Sequence, residues 1–167
     1  EVLSKSWESK HNELKKISGK IIAQLADRLS IDLSDTVKEL FNRENKVDNK
    51  AYKKFLEGKY LSDVMKDPDS INKSEKVLKE ALEIDKQFSE AHAALAMTQN
   101  LMGEFEDAEE ELEIALDIAE GENNYEALSL IYNYFGIYYK EQKRIEKSIK
   151  YFQRGIKLQK TLHNDYM

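Results

Sequence analysis

Three histidines, His11, His92 and His163, are the only imidazoles in the chain, and cysteine is absent. A histidine metal site wants two rings on one helix face, commonly at i and i+4, with a carboxylate close by. These three stand far apart in sequence, so no metal site is expected, and His92 reads as a packed or partly exposed residue of its helix. Without cysteine there is no thiolate nucleophile, disulfide or zinc thiolate. The stretch "DPDSIN" at 67–72 opens with alternating acidic residues, as a calcium-binding loop does. However, Ile71 falls on a ligand position, and Asn72 stands where the sharp turn needs glycine, so it reads as a loop between helices. Gly103, Gly121, Gly136 and Gly155 are isolated and form no phosphate cradle. No catalytic residue, metal ligand or cofactor is therefore expected, and the chain reads as a non-enzyme.

The aromatic side chains are the next candidates. "YNYFGIYY" at 132–139 puts five rings and a glycine into eight positions of a chain that is 10% aromatic. Such a cluster could stack bases, box a ligand or pack helices together. Proteins that stack single strands interleave rings with basic residues along a positive groove. With 26 basic against 32 acidic residues the net charge here is −6, and the long-range field repels phosphate backbones and anionic membranes. No nucleic-acid partner is expected. The charge is also segregated: residues 104–122 hold ten acidic and no basic side chains, whereas residues 140–160 hold eight basic and two acidic. A solvated outer face with pairing between neighbouring helices accounts for this, and a polarised surface that steers a partner is the alternative.

The elements that must position these residues are helices. One proline, six glycines and 35% charged residues leave few of the punctuators that strands and tight turns use, which favours an all-α fold. No apolar run approaches the roughly 20 residues of a membrane span, so no membrane insertion is expected. A repeat organises the helices. Tyr132, Phe135, Gly136 and Tyr139, followed by Ser148, Phe152 and Gly155, recur 40 residues earlier as His92, Leu95, Ala96 and Gln99, then Ala108, Leu112 and Ala115. Gly58 and Leu61 match the first half of this pattern, and Ser74, Leu78 and Ala81 match the second. The two halves of this first copy are separated by four extra residues around "DPDS". Each copy reads as two helices with apolar residues at i, i+3, i+4 and i+7, joined by a short turn such as "MGEFED" or "EQKR". Glycine in mid-helix costs about 1 kcal/mol relative to alanine, so Gly136 implies a close helix crossing, with Tyr132, Phe135 and Tyr139 filling space around it while Tyr134 and Tyr138 point elsewhere.

These residues resemble the tetratricopeptide repeat, whose unit places a tryptophan, a Leu-Gly pair and a tyrosine on its first helix, then alanine, phenylalanine and alanine on its second, and closes with proline. Residues 132–155 match best, although tyrosine stands for the tryptophan, and Lys86, Glu120 and Lys160 stand where the prolines belong. The resemblance implies a right-handed α-solenoid of about three helix pairs. The repeats would span about residues 51–86, 89–122 and 125–160, with the start of a further one at the carboxyl end, where "TLHNDYM" occupies the slot of "GENNYEAL".

Residues 1–50 read as a separate helical segment and linker. Leu14, Ile17, Ile21, Leu25 and Leu29 mark an amphipathic helix whose apolar stripe needs a partner, either the first repeat or a second copy in a homodimer. "NRENKVDNK" at 42–50 is polar and aperiodic, as a linker is. Ala51, Tyr52, Phe55, Leu56, Gly58 and Tyr60 resemble the opening of a repeat array after a TolB-like α/β segment, an arrangement carried by bacterial class III adenylate or guanylate cyclases and some transcription regulators. On that resemblance, and because the chain starts at Glu1 instead of methionine, it is read as part of a longer, cytoplasmic signalling protein, with the periplasm left open by the lack of cysteine.

The family geometry implies a groove lined by the first helix of each unit, in which a peptide or protein partner lies. The lining positions would be Tyr52, Phe55 and Lys59, then Glu90, Ala93, Met97 and Asn100, then Asn133, Ile137 and Lys140. Asn100 and Asn133 would hydrogen-bond a peptide backbone, and Met97 and Ile137 would offer adaptable apolar contacts. Phe55, Ala94, Leu130 and Tyr134 occupy places where chaperone-tail binders carry basic and amide residues, which disfavours that ligand class. The alternative function is a structural or dimerisation unit with an empty groove.

Overall fold

The computed structural model describes residues 47–165, with side chains as far as Thr161. The amino-terminal stripe from Leu14 to Leu29, His11 and the first part of the linker lie outside the described residues, as does the side chain of His163. Among the described residues there are six α-helices and no strand, and they fold as an all-α helical repeat.

Helix α1, Asn49–Tyr60, is started by Asp48, whose carboxylate accepts hydrogen bonds from the N–H groups of Lys50 at 2.7 Å and Ala51 at 3.3 Å. It does not stop at Tyr60 but widens into a π-helical turn, Leu61–Met65, which ends at Lys66 in the left-handed region with φ 56°. Helix α2, Pro68–Ile84, is capped by Asp67, which accepts from the Ser70 N–H, and has proline at its first position, where no partner for an N–H is needed. Helices α3, Ser89–Met102, and α4, Phe105–Gly121, form the second pair. Helices α5, Tyr125–Glu141, capped by Asn124, and α6, Ile145–Asp165, form the third. With lysine at 160, where the family pattern stops its second helix with proline, α6 continues to Asp165.

The extra residues of the first copy divide between two places. Gly58 precedes the left-handed Lys66 by eight positions, whereas Ala96 and Gly136 precede the left-handed Gly103 and Lys143 by seven. The π turn therefore absorbs one residue, as expected for a turn closed by wider hydrogen bonds. The other three lie between Lys66 and Ser74, where the corresponding spans from Gly103 to Ala108 and from Lys143 to Ser148 are three shorter.

Within each pair the two helices cross at a small residue. A Cβ placed on Gly136 would lie 2.6 Å from the ring of Phe152, and one on Gly58 would lie 2.6 Å from Leu78 Cγ. At both crossings a buried serine on the second helix donates its hydroxyl to the glycine carbonyl at 2.8 Å, Ser74 to Gly58 and Ser148 to Gly136. The middle pair uses Ala96 and Ala108 at these positions, both fully buried, and has no side chain there to make this bond. Tyr132, Phe135 and Tyr139 all turn onto Tyr151 of α6, with Phe135 stacked at 4.6 Å between ring centres and Tyr139 at 5.5 Å. The rings at 132–139 thus serve packing first.

The pairs stack through α2 against α3 and α4 against α5. Consecutive first helices, α1 with α3 and α3 with α5, also touch, while consecutive second helices make no comparable contact, so the array curves with its first helices inside. That geometry corrects the expected charge pairing. Among the described residues no ion pair joins the acidic helix α4 to the basic helix α6. Helix α5 packs against both of them. Instead, Glu109 of α4 accepts the hydroxyls of Tyr138 at 3.1 Å and Tyr139 at 2.6 Å, and Lys147 of α6 sits 4.7 Å from the centre of the Tyr139 ring.

Candidate binding surface

The inner side of the array is a row of equivalent positions on successive first helices. Its centre is Lys59 on α1, Met97 on α3 and Ile137 on α5, each half-buried. Lys59 hydrogen-bonds Asp63 and reaches across α3 to donate to the Tyr134 hydroxyl at 3.2 Å. Burial works against its ammonium, but the bonds to Asp63 and Tyr134 outweigh it and hold the group above its ordinary pKa. Lys59 is a fixed cation at one end of the row.

Of the other lining positions, Asn133 and Lys140 are exposed and Glu90 is half-buried beside the Ser89 hydroxyl, which donates to it at 3.0 Å. Three lie deeper than a lining position should. Ala93 is fully buried in the core between α3, α4 and α5. Phe55 is 8% exposed because its ring packs 4.9 Å from Phe88, with the half-buried Tyr52 beside both. Asn100 is 4% exposed and its amide donates to Glu141 at 2.6 Å, a bond between successive first helices that takes up the donor expected to face a peptide. Its carbonyl oxygen is buried without a partner.

Tyr134 and Glu141 therefore belong to the inner surface, although the repeat pattern does not count them among its lining positions. Tyr134 lies three residues before Ile137 and so borders the same helical stripe, a signal masked by the dense aromatic run around it. Phe88, which closes the α2–α3 junction at 1% exposure, sits in the short link "DKQF" where no periodicity marks it.

His92 is 9% exposed, with Nδ1 2.6 Å from Glu111 Oε2 and Nε2 3.1 Å from the Lys86 carbonyl oxygen, so it ties α3 to α4 and to the preceding link. Asp67 caps a helix in the stretch that resembles a calcium loop. Among the described residues no group of three acidic or histidine side chains is arranged to hold a metal ion, and no helix is long and apolar enough to cross a membrane.

Paired helices with small residues at each crossing, stacked so that first helices line the inner side, define a known repeat. Residues 87–161 match the tetratricopeptide repeat family. No curated protein and no solved structure matches the chain. The match spans α3 to α6; α1 and α2 lie outside it and repeat the glycine–serine crossing of α5 and α6. Tetratricopeptide repeats generally mediate contacts between proteins and are typically non-catalytic.

Proposed function

We propose that this chain is a non-catalytic interaction module that binds a peptide or protein segment along the inner face of its first helices. The observation that carries this reading is the row Lys59, Met97 and Ile137. These equivalent positions on three helices remain half-accessible while Ala91, Ala93, Ala94, Leu95 and Ala96 of the middle helix are buried. The row offers a cation at one end, apolar contacts in its centre, and the exposed Asn133 and Lys140 at the other end. An extended segment with an apolar side chain flanked by polar or acidic residues suits that order. Asn133 is the free amide for a peptide backbone.

A polypeptide with this surface suits a scaffolding or regulatory part of a larger cytoplasmic signalling protein. The resemblance of residues 51–60 to the opening of a repeat array beside cyclase or regulator domains supports that context.

The test is a displayed peptide library selected against the full chain, followed by titration of the selected peptides against an Ile137→Glu, Lys140→Glu variant. Both positions are at least partly accessible, whereas Ala93→Glu would bury a charge and unfold the site. Affinity falling at least about tenfold in the groove variant, and unchanged in Ile149→Glu on the outer face, is the expected result; about 1.4 kcal/mol of binding energy would account for it. Peptides that bind both variants equally would place the working surface elsewhere.

A further inference from the structure

Each first helix after α1 keeps two positions covered, two residues before and two after its crossing residue, and the later one meets the second helix of the pair before it. On α3 they are Ala94 and Thr98, 4% and 0% exposed, and Thr98 Oγ1 lies 3.2 Å from Ser74 Oγ of α2. On α5 they are Tyr134 and Tyr138, and the Tyr138 hydroxyl donates to the Phe105 carbonyl at 3.1 Å at the start of α4. On α1 the same positions are Leu56 and Tyr60, 44% and 56% exposed, and the π turn continues the row with Val64 at 61%. An apolar stacking face thus stands open where its counterparts are covered by a helix that precedes them in the chain.

The chain supplies a segment with a matching apolar pattern. The 46 residues before Val47 include the stripe Leu14, Ile17, Ile21, Leu25 and Leu29, spaced to put its apolar side chains on one helical face. As a helix it would extend about 22 Å, enough to overlap the roughly 12 Å from Leu56 to Val64. We propose that residues 14–29 pack as a helix across Leu56, Tyr60 and Val64, in the place that α2 holds against α3 and α4 against α5. The other open apolar row, Ile145, Ile149 and Ile156 on α6, lies at the opposite end of the array. Residues 30–48 connect directly to the near face, whereas to reach α6 they must pass all three helix pairs. Consecutive elements usually pack as neighbours, and a shorter closure costs less chain entropy.

Because the 167-residue chain contains no cysteine, one introduced thiol reports on one position. Tyr60→Cys in the otherwise unchanged full chain should react slowly with a maleimide, and adding Ile17→Asp and Ile21→Asp should raise its rate several-fold. Ile149→Cys should react at the same rate in both backgrounds. Hydrogen exchange on the same proteins should show residues 14–29 protected in the parent, unprotected in the Asp variant, and α3 to α6 unchanged in both. The proposal is overturned if the reaction rate of the thiol at position 60 is indifferent to the Asp substitutions or if residues 14–29 exchange freely in the parent. It is equally overturned if the thiol at position 149 is the one released, which would put the segment on α6. Release of the thiol at position 60 on dilution would overturn it as well, because the cover would then be a second copy.

Discussion

Gly136 faces the ring of Phe152, and a methyl group there would sit 2.6 Å from two ring carbons. An aromatic ring in a packed crossing cannot swing aside as the end of a lysine can, so Gly136→Ala should destabilise the chain by about 1–3 kcal/mol despite alanine's better helix propensity. Gly121, at the end of α4 with nothing within 4 Å of its would-be Cβ, is the control, and alanine there should be neutral or stabilising. Denaturant titration of both variants reads the difference. A second residue-scale consequence concerns Tyr138 and Tyr139. Burial, followed by the negative charge of and hydrogen bond to Glu109, pushes the Tyr138 phenol up to about 12, and burial and the same carboxylate push Tyr139 higher still. Folded phenols thus hold protons that the unfolded chain releases near its ordinary value of 10.0. Their contribution to stability is full below pH 10 and declines as pH rises towards 12. Tyrosinate absorbance should show the phenols of Tyr138 and Tyr139 titrating late. In Glu109→Gln both should titrate earlier but remain above an exposed tyrosine, since burial is the larger cause.

At the scale of the elements, helix ends decide how the pairs turn. Gly103 and Lys143 occupy the same place between first and second helix, 40 residues apart, and both are left-handed, at φ 83° and 58°. Each turn closes with the next N–H reaching back five residues, Glu104 to Gln99 at 2.9 Å and Arg144 to Tyr139 at 2.8 Å. A lysine in this conformation carries a penalty that glycine avoids. After allowing for the greater freedom glycine gives the unfolded chain, Lys143→Gly should stabilise by about 0.5–1 kcal/mol, read as a raised denaturation midpoint with an unchanged slope. Gly103→Lys should cost a similar amount. The helix starts are legible in the sequence where a side-chain cap precedes them, as at Asp67 with Pro68. They are less so at α3 and α4, which begin after Phe88 and Glu104 without a side-chain cap bond.

For the whole molecule, the middle pair is the one both neighbours depend on. Leu112 is fully buried among residues of α3, α4 and α5, so Leu112→Ala should cost about 2–5 kcal/mol and lower the unfolding midpoint of the entire array. Ile156→Ala on the open face of α6, 52% exposed, should change stability by about 0.5 kcal/mol or less. Equal losses at the two sites would mean that α6 is covered in solution.

The sequence by itself determined the helical class, the pairing of helices and the crossing residues. Small residues at Gly58, Ala96 and Gly136 and their partners at Ser74, Ala108 and Ser148 are forced by close backbone approach, and that constraint is local and periodic. It also separated Tyr132, Phe135 and Tyr139 from Tyr134 and Tyr138, because a 3.6-residue period fixes which rings share a face. Tertiary structure alone decided the depth of each inner position. Ala93, Phe55 and Asn100 have the periodicity of a lining row, yet Phe88 from a link and Glu141 from the next helix cover or claim two of them. Those contacts depend on how far successive pairs rotate, which no single helix encodes. Tertiary structure likewise decided that, among the described residues, no ion pair joins acidic α4 to basic α6, although their charges look complementary along the chain.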